Sequence, residues 1–442
     1  MTNASVRVVP ADVLTPIGAY TVLAQPQGSC LLESVESGGR ISRYSFIGLD
    51  YIAAEDFAAG DRLYERVREF IAAHRTDGNN GALGGALLAF SYDAARSDAR
   101  LPPRAASIPA MPAAYCAVPA TWLIFDHFTD SLRIWCSGGE SAARERRIDA
   151  YLERLLAAKP ALPQRVRARG AMSESIDRPR YLELVGAAKR HIFEGDVYQL
   201  QVGIRFGAEL DGSAFDLYRA LRRENPSPYM FFVDTPYGEL LGASPEFLVR
   251  LEGRKARIRP LAGTRWRGHD DDEDTRIAAE LLTNEKERAE HVMLVDLGRN
   301  DLGSVCDYGS VQVDELLQIE RYSHVMHIVS NVVGRLRKDR DALDLFRAGF
   351  PAGTVTGTPK IRAMQLIDGF EPVTRGFYAG SIGRWSFGGD FDSCITLRSV
   401  HVQNGHAWWQ ASAGIVADSD PVAEYEEVFH KTRIARAVLG IE

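Results

Sequence analysis

Cysteine is scarce: Cys30, Cys116, Cys136, Cys306 and Cys394 are the only five in 442 residues, widely spaced and without a CxxC pair. That pattern argues against a disulfide framework or a zinc ribbon and fits buried thiols. No apolar run reaches the roughly 18 residues a membrane span needs. The opening segment MTNASVRVVP lacks the apolar stretch of a signal peptide, so no membrane association and a cytoplasmic location are expected. Blocks of lysine and arginine are also missing. With 52 basic against 59 acidic residues and a formal charge of −7, the chain has no sign of the positive groove that nucleic acid requires. Neither a GxSxG elbow, a GxGxxG turn nor a glutaminase-type cysteine elbow occurs, which removes support for Ser or Cys nucleophilic catalysis. No fixed-period repeat is present, so solenoids and propellers are unsupported.

What remains has ordinary globular proportions, 45% hydrophobic and 25% charged, with enough length for a large core. Ala94 to Ala114 is proline-rich and reads as an irregular crossing, and KPALPQRVRARGAMSESIDRP reads as a linker. A boundary near Arg169 therefore divides an N-terminal region, residues 1–168, from a C-terminal region, 169–442. In the first, GALLAFSYD and ATWLIFDH are strand candidates. In the second, a helix is expected from Pro179 to Glu194, capped by Asp177, with Leu182, Val185 and Ile192 on one face and Gly195 beyond its end. Strands are expected at YQLQVGIRF, YMFFVD, ELLGA and FLVRL, the last turning at Gly253 into KARIRPL. Asn404-Gly405 between SCITLRSVHV and HAWWQASA marks a tight hairpin. Antiparallel strands with helices between them indicate an α+β fold.

Three groupings bear on chemistry. Glu287 and Glu290 stand three apart in a helical run, and Glu424 and Glu427 repeat that spacing in a helix opened by Asp420 and Pro421 and ended by Gly440. Two such pairs can build an oxygen-only Mg²⁺ site; equally, Glu287 can complete a capping box with Asn284, and Glu424 can answer the helix dipole. Gly353-Thr354-Val355-Thr356-Gly357-Thr358-Pro359-Lys360 leads into a helix and offers either an anion site or a plain turn. It is not a nucleotide phosphate loop, because Thr358 stands where glycine is needed and Pro359 removes an amide. Glu246, in a turn between strands, reads as solvated unless it is functional. His324 and His327 sit in an apolar context that suits core histidines better than zinc.

In order and wording these segments resemble the chorismate-utilising enzymes, most closely the anthranilate synthase component I family. The matching strings are LLESVE, RYSFIG, GDVYQ, NPSPYMFF, GASPEFLVR, PLAGTRWRG, KERAEHVMLVDLGRNDL, YSHVMHIVSNVVG, AGTVTGTPKIRAMQLID, GFYAGSIG, DSCITLRS and AGIVADSDPVAEYEE, from about residue 15 to the C-terminus. The resemblance implies two packed antiparallel β-sheets flanked by helices and a Mg²⁺-dependent attack on chorismate. It assigns Glu287, Glu290, Glu424 and Glu427 to the metal. Tyr378 and Arg398, with backbone amides around Ala413 and Gly414, would hold the enolpyruvyl carboxylate. Thr264, Thr354 and His327 would line the ring, and Glu246 would be the general acid for the departing hydroxyl.

Two positions separate the branches of that family. Its water-adding members have a lysine where this chain has Gln199, so ammonia is the expected nucleophile. Its aminodeoxychorismate synthases have a lysine where this chain has Ala262, so attack at ring carbon 2 and release of pyruvate are expected, assisted by His327. Ammonia would come from a partner glutamine amidotransferase subunit, the second component. Tryptophan would inhibit at Leu32, Glu33, Ser34, Pro228, Tyr229 and Met230; the alternative is that these strings merely pair strands at a sheet edge. The chain departs from the family at Gly203-Ile204, usually Ser-Arg, at Arg384, usually aromatic, at Ser412, usually glycine, and at His430, usually asparagine. These departures leave open an enzyme that stops at 2-amino-2-deoxyisochorismate, an aminodeoxychorismate synthase, or a non-catalytic sensor of tryptophan or chorismate.

Overall fold

A computed structural model describes residues 4–35, 43–76, 81–99, 101, 104, 108–159, 161–321 and 325–441. His324, one of the two histidines singled out above, lies outside them. Every strand pairing among the described residues is antiparallel. One run of the sheet passes from Ala4–Pro10 through Ser131–Ser137, Ala114–Asp126, Tyr44–Phe57, Ser29–Glu33, Tyr229–Thr235, Gly238–Ser244, Ser399–Gln403 and His406–Ile415 to Gln199–Asp211 and Arg167–Glu174. The other starts from the first half of Ala114–Asp126 and continues through Gly85–Phe90, Ser381–Ser386, Phe391–Ile395, Phe247–Glu252, Lys255–Ile258 and Val325–Arg335. The two runs pack face to face as the expected two antiparallel sheets, continuous with one another through Ala114–Asp126. Ala114–Asp126 belongs to both runs: its second half pairs with Ser131–Ser137 while its first half pairs with Gly85–Phe90.

Period-two alternation decides which side chain enters which core. Cys30, Phe231, Val233 and Leu240 face the second sheet, where Leu87, Phe90, Ile382 and Phe391 meet them. Their immediate neighbours Leu31, Phe232 and Leu241 face the opposite way, towards helices that supply Ile148, Tyr181, Leu184 and Leu217. The first sheet is therefore apolar on both faces, which explains why its strands read as near-continuous hydrophobic runs.

Local expectations fare unevenly. The helix Arg178–Phe193 has Asp177 as its cap, the side chain accepting from Arg180 N at 2.9 Å. Its buried face is Tyr181, Leu184, Val185 and Ala188; Leu182 and Ile192 lie at the margin, half-buried. The expected linker holds a strand, Arg167–Glu174, that contains the boundary position, and strands before and after it pair with one another, as Ser29–Glu33 does with Tyr229–Thr235. The edge it makes on Gln199–Asp211 is exposed and broken by a bulge, which is why its sequence is polar. The strand at ATWLIFDH begins earlier, at Ala114, inside what reads as the end of the proline-rich crossing. Asn404-Gly405 forms the hairpin, both residues at positive φ. All five cysteines are free and buried.

The aromatic cluster between the second sheet and the helix Ala342–Gly349 is a sensitive point of packing. Phe346, fully buried, stacks on Phe90 at 4.3 Å and on Phe350 at 4.8 Å. Phe346→Ala is expected to cost about 3–5 kcal/mol through lost contacts and an unfilled cavity, read as a lower denaturant midpoint with an unchanged slope.

Candidate functional site

A cleft of about 1430 Å³ opens between the two helices that carry the paired glutamates and the strands Gln199–Asp211, Leu261–Trp266, Val325–Arg335 and His406–Ile415. Gln199, Glu246, Ala262, Thr264, Glu287, Glu290, His327, Thr354, Tyr378, Arg398, Gly414, Glu424 and Glu427 all line it. Ala413 does not: strand alternation turns its side chain into the helix-side core. The six residues expected to bind tryptophan are also absent from its walls. Three of them, Leu32, Glu33 and Met230, come together elsewhere, where Ser29–Glu33 pairs with Tyr229–Thr235 and Glu33 faces Met230. That junction is internal to the sheet and not at its edge, since each strand has a second partner. Glu33 is buried there, accepting from Tyr218 Oη at 2.6 Å and pairing with Arg222 at 2.9 Å.

Each helix is placed by its own cap. Asn284 Oδ1 accepts from Glu287 N at 3.0 Å and opens Glu285–Gly303, while the Glu287 carboxylate turns away to Arg265 at 2.9 Å, so only half of the capping box forms. Asp420 caps Pro421–Val438 through Val422 N and Ala423 N at 3.0 and 2.9 Å. Glu290 Oε1 accepts from Gln199 Nε2 at 3.0 Å, and Glu427 pairs with Lys431 at 2.6 Å.

Burial first, then the neighbouring charges of Glu287 and Glu427, keep the Glu290 carboxyl above its ordinary range, against the opposing pull of Gln199. Burial does the same to Glu424, with Glu427 adding to it. The two pairs therefore sense each other across the cleft. No three of the four bring ligand atoms within 4.8 Å; among the described residues only His191, Glu194 and Asp196 do, and Asp196 there is already paired with Arg362 at 2.7 Å. As a donor set, four carboxylates crowding like charge suit a hard divalent cation that takes oxygen ligands. The residues present fit Mg²⁺.

Glu246 is not the solvated turn residue its context suggests. It is buried between Gly238–Ser244 and Phe247–Glu252, and burial pushes its carboxyl up to about 8, only partly opposed by Thr354 Oγ1 donating at 3.2 Å. It is thus protonated at neutral pH. His327 is buried too. Desolvation, with Arg398 nearby, lowers it to about 4, so the ring is neutral. Its Nδ1 lies 3.2 Å from Gly263 O, which can only accept; the proton is therefore on Nδ1, and Nε2 is the basic nitrogen. Thr264 Oγ1 lies 3.0 Å from the same Nδ1.

The glycine-rich run forms a short 3₁₀ turn, Gly353–Val355, ahead of the helix Lys360–Phe370, and it presents Thr354 to Glu246. Gly414 leaves room for two amides: a Cβ there would lie 2.7 Å from Gln199 Nε2 and 3.0 Å from Gln201 Nε2 and would push them aside. Several supporting residues escape a reading of the sequence. Glu371 and Arg375 form a buried ion pair at 2.7 Å. Through it Glu371 accepts from Gly203 N at 2.9 Å and Gln410 Nε2 at 3.2 Å, and Arg375 donates to Val355 O at 2.5 Å. Their spacing of four was the only available signal. Gln201 was more legible, because Gln199, Gln201 and Arg205 alternate along an otherwise apolar strand.

These protonation states give a stability test. A raised Glu246 means that above its unfolded value, near 4.5, the native state holds a proton the unfolded chain releases, so folding is progressively disfavoured from about pH 4.5 to 8. Glu246→Gln should therefore gain thermal stability over the parent as pH rises from 5 to 8. His291, His327 and His401, each lowered by burial to about 4, act in the other direction: stability present above about 6.5 is lost as pH falls towards 4. Melting temperature against pH checks both signs.

Comparison with known proteins agrees with this geometry. Residues 29–437 match the family described as chorismate binding enzyme. Anthranilate synthase component 1 of Streptomyces coelicolor is 41% identical over 96% of this chain and 86% of its own length. The protein of that name from Thermus thermophilus is 41% identical over 96% and 95%. The crystal structure of anthranilate synthase component I from Streptococcus pneumoniae superposes with a TM-score of 0.83 at 33% identity, covering 97% of this chain and 99% of that one. Among the described residues no helix is long and apolar enough to cross a membrane. With nearly its whole length matched, the chain belongs to the chorismate-binding enzyme family, among its anthranilate synthase component 1 members.

Proposed function

We propose that the chain converts chorismate and ammonia to anthranilate and pyruvate, as the aminase component of an anthranilate synthase serving tryptophan biosynthesis. The observation that carries this reading is the pairing, in one cleft, of a protonated buried carboxyl, Glu246, with a neutral buried imidazole, His327. One can give a proton and the other can take one, as a two-step substitution and elimination requires. Glu287, Glu290, Glu424 and Glu427 would hold Mg²⁺, which when bound neutralises the ring carboxylate of the substrate and fixes its position.

Glu246 donates its proton to the carbon-4 hydroxyl, which leaves as water. Such assistance is typically worth 10²- to 10⁴-fold. Ammonia attacks carbon 2 with its own lone pair. Gln199 cannot deprotonate water, and its amide is already committed to Glu290, consistent with ammonia as the nucleophile. Ala262, in the lining of the cleft, is small and would leave carbon 2 open to that attack. The ammonium so formed loses a proton, restoring the carboxyl of Glu246. His327 Nε2 then takes the carbon-2 proton as the bond from carbon 3 to the enolpyruvyl oxygen breaks, leaving the aromatic ring, and the released enolpyruvate gains a proton on its methylene carbon to become pyruvate. Arg398 and Tyr378 hold the enolpyruvyl carboxylate, with Thr264 and Thr354 against the ring. The relatives' names number them as first components; a second, glutamine amidotransferase component would deliver ammonia to this one. Tryptophan would act where Leu32, Glu33 and Ser34 meet Pro228, Tyr229 and Met230, a reading supported by the register that sets Glu33 opposite Met230.

Purified chain with chorismate, Mg²⁺ and excess ammonium at mildly alkaline pH should produce anthranilate fluorescence and pyruvate in equal amounts, abolished by EDTA and lowered by tryptophan. Chorismate consumption without pyruvate would instead mean an enzyme that stops at the aminated, enolpyruvyl-bearing product. Glu246→Gln should reduce turnover at least a hundredfold while chorismate binding persists. In the parent, kcat/KM should decline above about pH 8, where Glu246 loses its proton; an unchanged rate in the Gln variant would remove it from this role.

A further inference from the structure

Ser412 lies on the cleft-facing side of the strand His406–Ile415, buried and directly opposite Gly203 in the ladder. Its hydroxyl meets two groups at once: Oγ donates to Gln201 Oε1 at 2.8 Å, and Tyr378 Oη lies 2.8 Å away. A hydroxyl has one proton. With that proton given to an amide oxygen, which can only accept, the Ser412–Tyr378 bond must run the other way, from Tyr378 Oη to Ser412 Oγ. The one proton Tyr378 can offer is thus spent on the wall of the cleft, and the phenol oxygen turns lone pairs towards whatever occupies the space.

Across the ladder, a Cβ at Gly203 would stand 2.9 Å from Gln410 Nε2 and 3.1 Å from both Ala411 O and Glu371 Oε1, so a side chain there would crowd two groups tied to the Glu371–Arg375 pair. On the other side of the residue, Ser412 O accepts from Lys431 Nζ at 2.9 Å, and Lys431 pairs with Glu427, so the backbone is tied to the acidic helix.

We propose that Ser412 is a specificity-determining residue that competes with a substrate carboxylate for the Tyr378 proton and so sets the affinity of the cleft for that carboxylate. This rests on the reading of the cleft as a chorismate site. To bind, a carboxylate must first break the Tyr378–Ser412 bond, and losing a neutral hydrogen bond of this kind lowers affinity by about fivefold. Ser412 thereby favours faster release over tighter binding.

The test is a cycle of Ser412→Ala, Tyr378→Phe and the double variant, with chorismate affinity measured by calorimetry without ammonium, and KM and kcat measured separately. Ser412→Ala should bind chorismate about fivefold more tightly with a matching fall in KM. Tyr378→Phe should weaken binding less than threefold in the parent but about tenfold in the Ala background. Equal Tyr378→Phe effects in both backgrounds, or weaker binding by Ser412→Ala, would overturn the proposal and make Ser412 a support for Tyr378. Ser412→Thr, which keeps the hydroxyl, should behave as the parent; tighter binding by it would count against the proton argument. Affinity and turnover are read independently, so a parent that binds chorismate without making anthranilate would sink the functional reading alone.

Discussion

Glu371 and Arg375, both buried, hold opposite charges 2.7 Å apart at the back of the cleft, and the site's geometry hangs on that contact. Two charges removed from water need every remaining donor and acceptor filled. Here the filling is done by the site itself: Gly203 N, Gln410, Val355 O and Gln201 O each complete the pair's hydrogen bonds. Desolvation thus forces three separate segments into one arrangement. The strand that presents Gln199, the turn that presents Thr354 and the strand that presents Ser412 are positioned by the same need to satisfy a buried guanidinium and carboxylate.

Around that joint the cleft carries both signs of charge. Four carboxylates stand on two helices, two of them paired with Arg265 and Lys431, and Arg398, at a left-handed φ of 48°, lies near His327. The same cleft holds two groups whose burial keeps them neutral, Glu246 and His327. This neutral pair is where proton transfer costs least, because neither group has to shed a hydration shell.

Much of the architecture was legible because hydrophobic period, turn residues and caps act locally. Asp177, Asn284 and Asp420 cap the helices they were expected to open, and Asn404-Gly405 turns the hairpin. Residues 167–174 were not legible, since an exposed edge strand carries no apolar alternation. In the site, the glutamate pairs were visible from their spacing, whereas the burial of Glu246 was not. Whether a turn is solvated depends on what packs over it, and that is Thr354, 108 residues away in sequence. Glu371 and Arg375 were missed for the same reason: an interval of four between opposite charges is common on surfaces, and only the long-range fold removes the water.

Positions 203 and 412 are 209 places apart in the chain and face each other in the ladder. Relative to its family resemblance, the chain has exchanged serine and glycine between them. Aligned column by column, this counts as two unrelated losses; read across the ladder, it is one hydroxyl carried by the opposite strand.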